Sequence, residues 1–109
     1  LPPGQAAEVT GPPCELRGRK APDPGAEHNY CFPANASTPV PVADLVGRSG
    51  RRLRVYSDAP GLQVYCGGLS SIALEPQMWP DAPHHEDFPS ILLMPDQIFR
   101  QESHYLFDI

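Results

Sequence analysis

The sequence predicts an all-β fold, because of the way its apolar runs are spaced and interrupted. Fifteen prolines and nine glycines are spread over the 109 residues, and they separate short apolar runs. Several of these runs alternate apolar and polar side chains, which is the period of a half-buried strand. The segments between these breakers leave no room for a long helix. We therefore expect short antiparallel strands joined by turns.

The first half of the chain predicts an extended lead-in, a short strand and a hairpin. Residues 1–26 contain six prolines, which cannot donate hydrogen bonds to a sheet, so this segment is expected to cross a sheet face as a loop. Residues 28–32 form the short strand. Residues 41–46 and 52–57 flank a glycine-containing turn, and the second of them alternates basic or polar with apolar groups. This pattern predicts a hairpin with one face in water.

The strand predicted at residues 62–66 divides its side chains between two faces. Alternation places Gln63 and Tyr65 on the same face. The opposite face carries the apolar residues Leu62, Val64 and Cys66. If the apolar set faces the core, Gln63 faces a cleft in which a ligand could lie.

Two further strands are predicted toward the end of the chain. Residues 72–75 form one, which is expected to end at Pro76 because proline removes a ladder donor. The loop that follows is stiffened by three more prolines, whose φ angles are fixed. Residues 98–109 again alternate apolar and polar groups, and they are expected to close the sheet.

One carboxylate, Glu75, stands inside an apolar run and directly before the proline-broken loop. Two interpretations are open. A glutamate beside a strand commonly points to water and has no chemical role. A carboxylate held partly out of water among apolar neighbours loses hydration and becomes a better proton acceptor, as a general base requires.

Three segments of the sequence resemble the signatures of one enzyme family. Residues 72–90, IALEPQMWPDAPHHEDFPS, are similar to the signature G-[LIF]-[AC]-L-E-x-Q-x-x-P-D-[AS]-x-N-H-x-x-F-P-S of aldose 1-epimerases. Residues 27–32, EHNYCF, are similar to the family's D-H-N-[YF]-x-[LF] segment, and residues 59–65, APGLQVY, to its E-P-G-[LV]-Q-[FV]-Y segment. Weaker similarity at residues 11–17 and 99–107 extends the match over nearly the whole chain.

The resemblance implies a particular all-β architecture, the galactose-mutarotase-like antiparallel β-sandwich or supersandwich. The family's domain is longer than this chain, so residues 1–109 are expected to be a single and incomplete C-terminal segment of it. The family's proton-donating His, a second sugar-binding His and an Arg belong to N-terminal segments that this sequence does not contain. The segment between Gln63 and Glu75 is also shorter than the corresponding family loop.

The resemblance also implies an isomerase of carbohydrate metabolism that interconverts the α and β anomers of hexoses such as galactose and glucose. Glu75 matches the family's base, which removes the proton of the anomeric hydroxyl while an acid protonates the ring oxygen. Gln63 matches a residue that hydrogen-bonds the sugar, and Glu27 stands where the family has an Asp that holds ring hydroxyls. His28 is a further expected sugar contact. The alternative is a non-catalytic carbohydrate-binding or interaction β-module derived from a truncated epimerase.

Composition narrows the range of partners. The formal net charge is −5 with only eight basic residues, which argues against a nucleic-acid partner. The basic cluster at residues 48–54 is expected to be a solvated hairpin turn. No apolar run is long enough to span a membrane, and no targeting signal is visible. We therefore expect a cytoplasmic protein. The resemblance implies a small hexose as its partner, bound by a monomer or together with the N-terminal part of the domain.

The cysteine and histidine residues predict no metal site, and the mechanism that the resemblance implies needs no cofactor. The three cysteines form no C-x-x-C pair, and Cys31 and Cys66 are expected to be small buried groups in strands. His84 and His85 are adjacent in an extended loop, where neighbouring side chains point apart and no third ligand is suitably spaced. Trp79 either stacks on a sugar ring or fills the edge of the sandwich.

Overall fold

Antiparallel strands make up the structure, as the sequence predicts. The computed structural model describes residues 25–32, 38–67 and 71–109, and within them it contains six strands and one short 3₁₀ helix. The strands are β1 (Glu27–Cys31), β2 (Val40–Val46), β3 (Arg52–Ser57), β4 (Gly61–Gly67), β5 (Ser71–Gln77) and β6 (Ser103–Asp108), and the 3₁₀ helix is Ala82–His84. The described part of the chain has no helix long and apolar enough to cross a membrane. The proline-rich lead-in lies outside the described residues, except for residues 25 and 26.

The strands form two three-stranded sheets. One sheet has the order β1-β4-β5 and the other the order β2-β3-β6, and every neighbouring pair is antiparallel. The predicted hairpin is confirmed as β2 and β3, with a register shift between Pro41 and Ala43. Its turn contains Gly50, which has a φ of 87°. Glycine adopts this left-handed conformation at no steric cost.

The core lies on one face of the β1-β4-β5 sheet and joins the two sheets. Its buried members are the apolar set of β4, namely Leu62, Val64 and Cys66. Val42 and Ala43 of β2 pack against this set, as do Ile72 and Leu74 of β5. The face assignment predicted for β4 is therefore confirmed. It leaves the opposite face of this sheet to polar side chains.

Hydrogen bonds fix the corner between β3 and β4. The hydroxyl of Ser57, which is 1% exposed, lies 2.9 Å from that of Ser103 and accepts the amide of Ala59 at 3.1 Å. Asp58 accepts the amide of Glu102 on its carboxylate at 2.9 Å. These bonds satisfy a buried polar group and tie the start of β4 to the last strand.

The end predicted for one strand and the start predicted for another are wrong. β5 continues through Pro76 to Gln77, because it is the outer strand of its sheet and one side of an outer strand needs no ladder donors. The last strand begins at Ser103 rather than at residue 98. The preceding segment bonds elsewhere: Gln97 closes a turn with Met94, and Gln101 donates to the carbonyl of Pro76.

Candidate functional site

The face of the β1-β4-β5 sheet that points away from the core carries a band of carboxylate and amide side chains. We call this band the polar face. The strand register places Gln63 of β4 opposite Asn29 of β1 and opposite Glu75 of β5. Glu27 and Gln77 lie two positions from Asn29 and Glu75, so alternation puts them on the same face. The polar face therefore consists of Glu27, Asn29, Gln63, Glu75 and Gln77.

Hydrogen bonds connect the amides of the polar face to one of its carboxylates. Gln63 donates through Nε2 to Oε1 of Glu27 at 3.2 Å. Gln77 donates through Nε2 to Oδ1 of Asn29 at 3.1 Å and to Oε1 of Gln63 at 3.4 Å. The four side chains thus form one network across three strands.

Glu75 is the second carboxylate of the polar face. Its side chain is exposed, and it makes no side-chain hydrogen bond to any residue that the structure describes. It faces Gln63 directly across the β4-β5 pair, where side chains of opposed residues have Cβ atoms about 4.5–5.5 Å apart. Of the two sequence interpretations, the structure has the carboxylate in water. That position also leaves its oxygens accessible to a hydroxyl group of a ligand.

Glu27 is exposed and lies on the other side of Gln63 from Glu75. The side chain of Glu27 is one methylene longer than that of an aspartate, and it reaches Gln63 to accept a hydrogen bond. Two carboxylates thus flank one amide, an arrangement rich in hydrogen-bond acceptors. Such a face suits a ligand that presents several hydroxyl donors.

The structure does not bring His28 together with these residues. His28 follows Glu27 in β1, so alternation turns it to the opposite, apolar face of the sheet. Its ring lies edge-on to that of Tyr30, with centroids 6.3 Å apart. We therefore leave His28 out of the candidate site. The alternation of Glu27 and His28 along one strand was the sequence signal for this separation.

The loop after β5 closes one end of the polar face with an aromatic cluster. Trp79 donates from Nε1 to the carbonyl of Pro60 at 2.7 Å and packs edge-to-face on Phe88, with centroids 5.0 Å apart. A Cβ atom on Gly61 would lie 3.0 Å from Cδ1 of Trp79 and 2.9 Å from Oδ1 of Asn29. Trp79 is thus packed at the end of the sheet, in line with the edge-filling alternative.

The two adjacent histidines of this loop converge instead of pointing apart. Nδ1 of His84 and Nε2 of His85 donate to the two oxygens of Asp81, at 2.5 Å and 2.9 Å. The predicted extended conformation is wrong here because Asp81 has a φ of 62° and starts the 3₁₀ helix. The bonds from His84 and His85 lower the pKa of Asp81. No group of three or more His, Cys, Asp or Glu side chains in the described ranges is arranged to hold a metal ion.

The structure also gives the positions of the free cysteines and of the basic cluster. Cys66 is buried as predicted, whereas Cys31 is exposed, because it lies at an outer strand on the polar-face side. Burial raises the pKa of the Cys66 thiol. Partial desolvation of its sulfur raises the pKa of Cys31 as well, against the hydrogen bond from Asn29, which lowers it. In the other sheet, Arg52 pairs with Asp44 at 2.6 Å, in keeping with a solvated hairpin.

Sequence reasoning missed two members of the network, Asn29 and Gln77. Both lie within the motifs that resemble the family's, but the resemblance implies no role for either. Their position two residues from Glu27 and Glu75 on the same strands was the available signal. Their contacts with each other depend on strand pairing, which the local pattern does not specify.

Comparison with known proteins identifies relatives of the chain. The sequence model described as Aldose 1-epimerase matches residues 1–106. The chain is 29% identical to galactose mutarotase of Homo sapiens over an alignment of 133 positions, and the match covers all of this chain and 39% of that protein. It is 30% identical over 101 residues to galactose mutarotase of Rattus norvegicus, covering 78% of this chain and 30% of the relative. A maltose epimerase of Levilactobacillus brevis is 30% identical over an alignment of 83 positions, and the match covers 65% of this chain and 24% of that protein. The chain thus spans at most about two fifths of the length of these relatives.

Proposed function

The chain belongs to the aldose 1-epimerase family, and on that premise we propose that its polar face is the base side of a hexose site where α and β anomers of sugars such as galactose and glucose interconvert. One observation carries the proposal. Glu75, Gln63 and Glu27, which occur in three separate motifs, lie on neighbouring strands of one sheet face. If the three motifs were similar to those of the family by chance, there would be no reason for their residues to lie together in the fold.

Glu75 acts as the general base in this proposal. Its carboxylate takes the proton of the anomeric hydroxyl, and the electron pair of that O–H bond forms the carbonyl as the bond from the anomeric carbon to the ring oxygen breaks. The ring oxygen receives a proton from an acid. Rotation about the bond between the first two carbons and the reverse proton transfers close the ring as the other anomer. General base catalysis of this kind contributes about 10²–10⁴-fold in rate.

Gln63 and Glu27 hold the sugar in this proposal. One N–H of the Gln63 amide is used by Glu27, so the other N–H is available to a sugar oxygen. The second oxygen of Glu27 accepts a sugar hydroxyl, and hydrogen bonds to an ionised acceptor are stronger than neutral ones. Both contacts fix the ring relative to Glu75 across the strand pair.

The acid that serves the ring oxygen is not assigned to the polar face. His28 lies on the opposite face, and His104 belongs to the other sheet, where it bonds Glu102 at 2.8 Å. His84 and His85 both bond Asp81 in the loop. The proposal thus requires a proton donor that approaches the sugar from the side opposite Glu75.

The same proposal includes a neutral hexose as the partner, the cytoplasm as the compartment and no cofactor. The chemistry of ring opening needs only an acid and a base. Cys31 and Cys66 are free thiols in the structure, which agrees with a reducing compartment.

Polarimetry of freshly dissolved α-D-galactose and α-D-glucose tests the proposal. With solvent water as the proton donor to the ring oxygen, we expect the chain to speed the change in optical rotation above the rate of buffer and the Glu75→Gln variant to fall to the rate of buffer. Glu86→Gln is the matched control, since Glu86 is exposed in the loop beyond the sheet and the same charge is removed. Equal rates for the chain and for buffer would contradict the catalytic proposal. If galactose still shifted the NMR signals of Gln63 and Glu75 in such a chain, the non-catalytic carbohydrate-binding module would be the better description.

A further inference from the structure

We propose that Gln77 is a positioning residue of this site: its side-chain amide fixes the orientation of the Gln63 amide without itself contacting the sugar. The hydrogen bonds of Gln77 and Gln63 are seen in the structure of the polar face and do not depend on the proposed function. Their meaning for sugar binding rests on the proposed function.

The carboxylate of Glu27, when ionised, only accepts hydrogen bonds. Gln63 must therefore turn its NH₂ group toward Glu27, as the 3.2 Å contact has it. This leaves the carbonyl oxygen of Gln63 on the other side, 3.4 Å from Nε2 of Gln77. The orientation of the amide follows from the chemistry of its two partners.

Gln77 uses its single NH₂ group for two acceptors at once. One contact goes to Gln63 and the other to Oδ1 of Asn29, at 3.1 Å. If Gln63 were to flip, its carbonyl oxygen would face the carboxylate of Glu27 and its NH₂ group would face that of Gln77. Both contacts are repulsive, so Gln77 and Glu27 together select one of two orientations that otherwise have nearly equal shapes.

Gly61 provides the space in which these amides meet. It stands opposite Gln77 in the β4-β5 pair and opposite Cys31 in the β1-β4 pair. A Cβ atom at this position would lie 2.9 Å from Oδ1 of Asn29 and 3.1 Å from the backbone oxygen of Gln77. The absence of a side chain on Gly61 thus permits the contact between Asn29 and Gln77.

The fixed amide has a consequence for the ligand. The NH₂ group of an oriented Gln63 points toward β1, so its remaining N–H is offered to a sugar oxygen on the Glu27 side of the polar face, across Gln63 from the base Glu75. Without Gln77 the Gln63 amide would be held from the Glu27 side alone, and it would lose more rotational freedom on binding a sugar. We expect the loss of Gln77 to weaken binding of galactose about tenfold, which corresponds to about 1.4 kcal/mol.

NMR of the ¹⁵N-labelled chain tests the positioning role directly. The side-chain amide of Gln63 is assigned from the signal that disappears in Gln63→Met. We expect its heteronuclear NOE to be high in the unmodified chain and to fall in Gln77→Met toward the low value of a side-chain amide that rotates freely in water. Gln97→Met is the matched control and is expected to leave the Gln63 signal unchanged.

Two results would overturn the inference. One is a Gln63 amide that already has the low NOE of a freely rotating side chain in the unmodified chain, a measurement that needs no variant to fold. The other is a Gln63 amide that stays rigid in folded Gln77→Met. Gln77→Glu serves as the second variant, because it keeps the shape but faces both acceptors with a carboxylate, and loosening of Gln63 there supports the inference.

Titration of the same samples with D-galactose separates this inference from the proposed function. Weaker binding by Gln77→Met than by the unmodified chain, with Gln97→Met unaffected, supports both. If the unmodified chain binds no galactose while Gln77→Met still loosens Gln63, the contact is supported and the sugar function fails. If galactose binds equally well to the unmodified chain and to Gln77→Met, the positioning role is wrong and the function stands.

Discussion

Substitution of Gly61 by alanine is expected to damage the end of the polar face. The added Cβ atom would lie 2.9 Å from Oδ1 of Asn29, 3.0 Å from Cδ1 of Trp79 and 3.1 Å from the backbone oxygen of Gln77. The last contact is to main chain in a paired strand, which cannot move aside as a flexible side chain does. Overpacking of this kind costs about 1–3 kcal/mol. The backbone of Gly61 has no positive φ, so this cost comes from contacts rather than from the glycine conformation.

Urea unfolding monitored by tryptophan fluorescence measures this effect at the site of the change. Trp79 is the only tryptophan of the chain, and its indole is one of the three groups that must move. With a urea m-value of about 1–3 kcal/mol/M, as small proteins show, the midpoint should fall by about 1 M. The emission of the folded state should shift as well, because the indole loses its packed position.

Gly47→Ala is the matched control for this prediction. A Cβ atom on Gly47 would meet its nearest atom, the carbonyl oxygen of Arg51, at an ordinary 3.7 Å. Gly47→Ala should therefore leave the midpoint unchanged or raise it, by up to about 1 kcal/mol in stability, because alanine restricts the unfolded chain. Equal midpoints for Gly61→Ala and the unmodified chain, with unchanged Trp79 emission, would refute the packing argument.

Three further predictions follow from the core, the loop and the thiols. Leu62→Ala should lower the free energy of unfolding by about 2–5 kcal/mol in urea titrations, because Leu62 is 2% exposed in the core, and a loss below 1 kcal/mol would contradict that burial. The pKa of Asp81 is lowered in the folded chain, so its ionised carboxylate stabilises the loop at pH values above the ordinary Asp pKa of about 4. This stabilisation is lost as the pH falls through the lowered pKa. Asp81→Asn should therefore lose less stability on acidification than the unmodified chain. Parallel acid titrations of the two proteins would argue against the ion pairs. In a Cys14→Ser background, a thiol reagent should label Cys31 in the native chain and Cys66 only on unfolding, and simultaneous labelling of both would contradict their different exposure.

Several structural elements follow from local sequence alone. The strand at residues 62–66 alternates with period two, so one face of β4 is apolar and the other polar whatever it pairs with. The turn of the β2-β3 hairpin is set by its glycine residues in the same local way. The three family motifs likewise mark Glu75, Gln63 and Glu27 without reference to any contact.

Other elements were predicted wrongly because they depend on neighbours far along the chain. Pro76 ends no strand, since its outer position in the sheet makes a missing donor harmless. The segment before Ser103 alternates like a strand, but its Glu102 amide is bonded by Asp58, 44 residues earlier. His84 and His85 converge because Asp81 adopts a left-handed backbone and offers one carboxylate to both.

The sequence by itself determined the β-rich class, the two faces of β4 and the identity of the family motifs, because all of these depend on residues close together in the chain. Tertiary structure decided which of those residues meet. Register across three strands joins Gln77 to Asn29, 48 residues away, and Gln63 to Glu27, 36 residues away. A shift of one residue in either strand pair would turn these side chains to opposite faces, and local alternation does not specify that register.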